Sequence, residues 1–267
     1  MKLLLSLMPD CKSSLLPVNY QYPLSAAIYK IIRQADEKYA AFLHDTGYQL
    51  PNGKSFKLFV FSDLQVPFQI KGDRMQLNTS PASLVIGFHI EEAASRFIRG
   101  LFINQCIEIA DKISKARFCI SHVQLLPQVL PDIEDDEPEV IFHPLSPIVV
   151  GRKNIRGNYD YLNPLDSDFP RFLTSNWIEK YRAAAGISIN EEALKGSIHV
   201  KVLNTGTEIK SRLITIKAFT SAQTKIKGYT NFRMKVRAPR PLLELALNSG
   251  LGLSNAQGMG CVEIGYC

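Results

Sequence analysis

Gly250-Leu251-Gly252-Leu253-Ser254-Asn255-Ala256-Gln257-Gly258-Met259-Gly260-Cys261-Val262 is the stretch on which the reading of this chain turns. It holds two glycine-apolar-glycine turns five residues apart and runs straight into an apolar segment. Glycine tolerates positive φ and lets a partner approach the backbone. Four glycines in eleven positions therefore mark either a tight helix-to-strand turn or a loop whose amides face an anion. The spacing is neither the dinucleotide fingerprint nor a P-loop, and no Lys-Ser or Lys-Thr follows, so the glycines alone favour the turn. It joins a short helix over 241–248 to a last strand over 259–266.

Working back from that turn, apolar periodicity predicts strands over 145–150, 197–203 and 212–219, a β segment over 229–236 and a helix over most of 166–185. The first part of the chain repeats this order, with strands over 2–8, 56–62, 84–90 and 117–125 and a helix over 91–102. Leu24, Ala27, Ile28, Ile31, Ile32 and Ala35 give the first helix its apolar face. Each half reads βαββαβ, the second with one added β segment. The expected fold is α+β, two tandem ferredoxin-like (RRM-like) domains over 1–130 and 141–267, an open-sheet architecture common in RNA binding. Between them lie six acids and two prolines, Pro131 to Glu139, read as an extended, solvated linker over 131–140 rather than as a metal site.

The 267 residues are 46% apolar, enough for two cores. The opening Met1 to Met8 is read as a first strand, because its apolar run is short and Pro9-Asp10 ends it without a small-residue cleavage site. Nothing approaches a membrane span of about twenty apolar residues. Five cysteines without a Cys-x-x-Cys pair argue for reduced thiols, and the expected location is the cytoplasm. The net charge of +6 is unevenly spread. Lys195, Lys201, Lys210, Arg212, Lys217, Lys225, Lys227, Arg233, Lys235, Arg237 and Arg240 face one acid, Glu208, so this segment carries +10 and the remainder −4. Such a concentration favours a polyanionic partner, and nucleic acid above a plain solvated face.

The resemblance now becomes specific. The terminal glycine element, the duplicated order, Tyr22-Pro23-Leu24, Phe42-Leu43-His44-Asp45, Lys57-Leu58-Phe59-Val60-Phe61-Ser62 and Leu145-Ser146-Pro147-Ile148-Val149-Val150 together resemble the CRISPR-associated endoribonuclease family that cuts precursor CRISPR RNA, within the RAMP superfamily. The resemblance spans nearly the whole chain. It implies metal-independent cleavage of repeat RNA, with no cofactor, leaving a 2′,3′-cyclic phosphate and a 5′-hydroxyl. It also implies CRISPR repeat RNA, precursor and mature, as partner, and leaves room for effector-complex subunits and for a second copy of the chain. The family's tyrosine, histidine and lysine fall on Tyr29, His44 and Lys57. An imidazole titrates near pH ~6.5 and suits acid or base work, a phenol can protonate the leaving oxygen or orient the hydroxyl, and an ammonium offsets charge on the phosphate. Lys54 competes with Lys57 for the last role. On this reading the basic segment grips the RNA while Gly250, Gly252, Gly258 and Gly260 present amides to it.

One geometric condition follows. A straight helix would part Tyr29 from His44 by roughly 22 Å. The helix must therefore break at Gln34-Ala35-Asp36, with Asp36 capping a second short helix that ends at His44-Asp45-Thr46-Gly47, Gly47 taking a left-handed cap. The remaining histidines, His89, His122, His143 and His199, form no metal-ligand spacing and read as structural. Two other functions stay open: a non-cleaving RAMP subunit that holds guide RNA, and an unrelated tandem RNA-recognition protein, the latter without aromatic RNP strings.

Overall fold

The computed structural model describes residues 1–10, 14–128, 130, 136–186, 190–204, 207–218 and 220–265. Leu3, Leu5 and Leu7 alternate into the core and make β1 (Lys2–Pro9) a central strand. After it come β2 (Ser14–Pro17), α1 (Gln21–Ala35), α2 (Glu37–Ala41), a π-helical turn (Phe42–Thr46), β3 (Tyr48–Gln49), β4 (Ser55–Phe56) and β5 (Phe59–Phe61). The first half continues through β6 (Phe68–Lys71), β7 (Arg74–Leu77), β8 (Ala82–Phe88), α3 (Glu91–Asn104), β9 (Cys106–Ala110) and β10 (Lys115–Leu125). Its main sheet is antiparallel in the order β5-β8-β1-β10-β9. Leaving aside β9, an added edge, this is the second-third-first-fourth order of a ferredoxin-like βαββαβ unit. α1 and α3 cover one face through Leu24, Ile28, Ile31, Ala94 and Phe97.

The second half contains β11 (Glu139–Pro144), β12 (Gly151–Lys153), β13 (Tyr159–Tyr161), α4 (Phe169–Ala185), α5 (Glu191–Ser197), β14 (His199–Val202), β15 (Lys210–Ile216), β16 (Thr224–Thr230), β17 (Met234–Arg237), α6 (Arg240–Ser249) and β18 (Val262–Gly265). Its sheet runs β14-β17-β11-β18, the same order again, and β15–β16 is a separate hairpin inserted between the second and third strands. The tandem ferredoxin-like architecture expected from the sequence is therefore the one observed. The second core, built on Phe169, Trp177, Met234 and Leu242, also takes in Leu50, Phe56 and Leu58 from the first half. Arg212 Nη2 reaches Asp63 Oδ1 at 2.6 Å, and Lys2 Nζ donates to the Val262 carbonyl at 2.5 Å. No helix among the described residues is long and apolar enough to cross a membrane.

Several boundaries differ from expectation. The first strand of the second sheet is Glu139–Pro144, not 145–150, where only Ile148 bridges to Tyr229. Pro147, in the middle of that span, lacks the donor a ladder needs. Within the expected linker, residues 131–135 lie outside those described, while Glu139 and Val140 pair with Arg237 and Val236 in β11. Val140 and Phe142, buried in the second core, set this strand, and Glu139 at its start pairs with Lys235 of the basic β17. The strand expected over 56–62 is cut by Leu58 at φ 52°, and that over 229–236 by Asn231 at φ 60°. The last strand runs over Val262–Gly265, since residues 259–261 are not in a strand and residue 266, where it was expected to end, lies outside those described.

Candidate active site

Asp36 leaves the helical region at φ −157° and ψ 104° and accepts the Tyr39 N–H at 2.9 Å, capping α2 as the break required. Its other oxygen takes Arg96 Nε at 2.8 Å, tying the corner to α3. The chain then widens into the π-helical turn, closed by Gly47 N–H on the Phe42 carbonyl at 2.7 Å. Gly47 has φ 65° but ψ −161°, so it is not the left-handed cap anticipated. The extended ψ turns the chain directly into β3, and an added Cβ would lie 2.6 Å from the Phe56 carbonyl and 2.9 Å from Lys57 Cδ. Only glycine lets Lys57 lie against this turn.

The three side chains meet. The Tyr29 and His44 rings stand edge to face with centroids 5.1 Å apart, and Phe59 backs Tyr29 at 5.4 Å. Lys57 Nζ donates to the His44 carbonyl at 2.7 Å, and His44 Nδ1 lies 2.7 Å from Asp45 Oδ1. Burial pushes the Tyr29 phenol well above its ordinary range, so it is a hydroxyl at neutral pH. Burial also lowers the Lys57 ammonium from its usual value, with Asp45 opposing. Lys54 is occupied elsewhere, paired with Glu179 and 5.5 Å over the Phe56 ring.

These residues line a cleft of about 1070 Å³ with Lys30, Arg33, Lys180 and Lys217, against two acids, Glu37 and Asp45. Its far wall is the glycine-rich turn, and here a correction is needed. Gly250, Gly252, Gly258 and Gly260 are buried, and the amides of Gly250, Gly258 and Gly260 donate to the carbonyls of Ala246, Asn255 and Pro147. Those three amides are engaged within the fold, while Gly252 lines the cleft. The positions are glycines because an added Cβ would lie 2.3 Å from the Val149 carbonyl at Gly252, 2.5 Å from Phe61 Cε2 at Gly258 and 1.9 Å from the Leu251 carbonyl at Gly260. Lys180 Nζ, buried, anchors this wall on the Gly250 carbonyl and Asn255 Oδ1, both at 2.6 Å. Burial, helped by the Lys54 charge, pulls its ammonium down to about 7. Among the described residues no three His, Cys, Asp or Glu side chains gather as a metal site.

Residues 130–264 match the family model of the C-terminal part of CRISPR associated protein Cas6, and residues 15–124 that of the Cas6 N-terminal part. The chain belongs to the Cas6 family. The CRISPR-associated endoribonuclease Cas6 of Pyrococcus furiosus is 26% identical over 192 residues, 70% of this chain and 66% of that protein. The CRISPR-associated endoribonuclease Cas6 1 of Methanocaldococcus jannaschii is 28% identical over 175 residues, 64% and 61%. The matched stretch thus spans 66% and 61% of the length of these two relatives. A solved structure characterising a Cas6-related gene of Pyrococcus furiosus superposes with a TM-score of 0.78 at 19% identity, covering 100% of this chain and 98% of that one, and shows the shared fold.

In this Cas6 chain the basic segment is dispersed and partly neutralised. Lys217 lines the cleft, whereas Lys210, Arg212 and Arg233 line a second pocket of about 640 Å³ with His143. Lys195, Arg212, Lys235 and Arg237 have carboxylate partners at Glu191, Asp63, Glu139 and Glu137. The acids missing from the segment itself are thus supplied from other parts of the chain. Lys227 Nζ sits 5.4 Å over the Tyr229 ring. Lys201 faces Lys235 across adjacent strands. Lys201, Lys210, Lys217, Lys225 and Arg233 meet no carboxylate among the described residues. Sequence reasoning missed Asn176 and Lys180, buried four residues apart on α4 beside Leu173 and Trp177. Their signal was a polar pair interrupting an apolar helical face.

Proposed function

We propose that this chain is an endoribonuclease that processes CRISPR repeat RNA, with Tyr29, His44 and Lys57 at its reaction centre. The observation that carries the reading is the meeting of those three groups at one basic cleft of a Cas6 fold. The ribose 2′-hydroxyl attacks the adjacent phosphorus; the new 2′-oxygen–phosphorus bond forms as the bond to the 5′-oxygen breaks. The proton lost from the one oxygen is regained by the other, so the products are a 2′,3′-cyclic phosphate and a 5′-hydroxyl, and no water is consumed. His44, exposed at the cleft, takes the proton. Tyr29, held as a hydroxyl by burial, donates to the departing oxygen. Lys57 faces the phosphoryl oxygens as their charge grows.

Labelled repeat RNA incubated with the purified chain in EDTA tests this reading. Cleavage to a cyclic-phosphate end is expected, falling by roughly 10²–10⁴-fold in His44→Ala while binding persists. Full-rate cleavage by that variant removes the mechanism. Binding without any product from the wild-type chain assigns it instead to guide-RNA holding.

A further inference from the structure

Asn176 lines the cleft from α4 and is only 7% exposed, yet neither its Nδ2 nor its Oδ1 meets a hydrogen-bond partner among the described residues. Its polar neighbours along the helix are already engaged, Glu179 with Lys54, and Lys180 with Gly250 and Asn255. A buried amide left unpaired is costly, and the cost is recovered when a ligand supplies both an acceptor and a donor. A phosphate oxygen supplies only acceptors and would leave Oδ1 unpaired. A nucleobase edge carries both. Tyr159 and Tyr161, alternate residues of β13 with ring centroids 6.3 Å and planes 21° apart, line the same cleft and give a base a flat surface.

We propose that Asn176 determines specificity by reading the hydrogen-bonding edge of one unpaired nucleobase of RNA held in the cleft, beside the Tyr159–Tyr161 surface. The proposal rests on the RNA-cleaving reading of that cleft. It assigns α4 of the second half a recognition role that complements the chemistry of the first.

The test uses the full chain and a labelled RNA pool with a short randomised window, sequencing both the cleaved ends and the bound fraction. Wild type, Asn176→Ala and Asn176→Asp are compared, with thermal melting run on each. A base preference at one position is expected for wild type. Asn176→Ala should weaken that preference roughly tenfold or more and leave other positions unchanged. Asn176→Asp, nearly the same size and offering only acceptors when ionised, should move the preference toward bases that present donors, and it keeps the test alive if the alanine variant does not fold. An unchanged preference at every position, or an equal loss for all bases, overturns the proposal. If wild type cleaves nothing, the cleavage reading fails by itself. The bound fraction then still decides, since enrichment that survives Asn176→Ala removes the role of Asn176.

Discussion

The two halves share a sheet order, but the connections at matching places in them differ. Between its first helix and second strand, the first half inserts α2, the π-helical turn and β3–β4, buries Tyr39, Leu43, Leu50 and Phe56, and delivers His44 and Lys57. At the same place the described residues of the second half form only α5, which buries none of its own residues. After the second helix the connections differ again. The first half passes through Gln105, left-handed at φ 50°, into the added edge strand β9 before it reaches its fourth strand, β10, whereas residues 250–261 lead from α6 to β18 and wall the cleft. The duplicated sheets act as a frame, and the cleft lies where one long connection of each half meets, with His44 and Lys57 on that of the first half beside Tyr29 of α1.

The helices show the same contrast and give the largest expected effect. α1 buries two polar residues, Gln21 and Ser25, and no cation, while α4 buries Lys180 under the glycine-rich wall. With Lys180 pulled down to about 7 in the fold from 10.5, the unfolded chain holds a proton that the folded chain has given up. Stability should therefore rise with pH between those values and lose this gain as pH falls through 7. The slope approaches about 1.4 kcal/mol per pH unit. Chemical denaturation across that window should show a flatter profile in Lys180→Met, and parallel profiles would mean that the lysine keeps its proton in the fold.

A smaller effect separates the two kinds of connection. Gly252, at φ +71° with Val149 in the way, should lose roughly 1–3 kcal/mol on change to alanine. Gly196 of α5 has no heavy atom within 4 Å of an added Cβ, and alanine there should gain about 0.5–1 kcal/mol. Equal melting temperatures for the two variants would erase the distinction between a packed wall and an exposed connector.

Much of this was legible in the sequence because it is local. Alternating leucines revealed β1, and once the resemblance put Tyr29 and His44 at one centre, the length of a straight helix required the break at Asp36. What stayed hidden depends on partners distant in the chain. Glu139 looked like linker because the basic strand that pairs with it, β17, lies about a hundred residues away. The glycines were correctly weighted toward a turn, but a backbone that must pass Val149 and Phe61 has the same composition as one that must admit an anion. Asn176 and Lys180 interrupt an apolar helical face, and the Gly250 carbonyl that holds Lys180 lies 70 residues further along the chain.

The smallest effect concerns the basic segment. Lys235 is paired with Glu139 at 2.7 Å, whereas Lys225, on the hairpin whose Thr224 and Ile226 line the cleft, meets no carboxylate among the described residues. A charge already neutralised by a neighbour displaces fewer counterions from RNA than one facing solvent. If RNA leaves the cleft across β15–β16, Lys225→Ala should reduce the slope of log affinity against log salt by about 0.7–0.9, one phosphate contact, and Lys235→Ala by less. Filter binding of repeat RNA across a salt series reads both slopes. Equal reductions would show that Glu139 releases Lys235 to the RNA, and an unchanged slope for Lys225→Ala would turn the RNA path away from this hairpin.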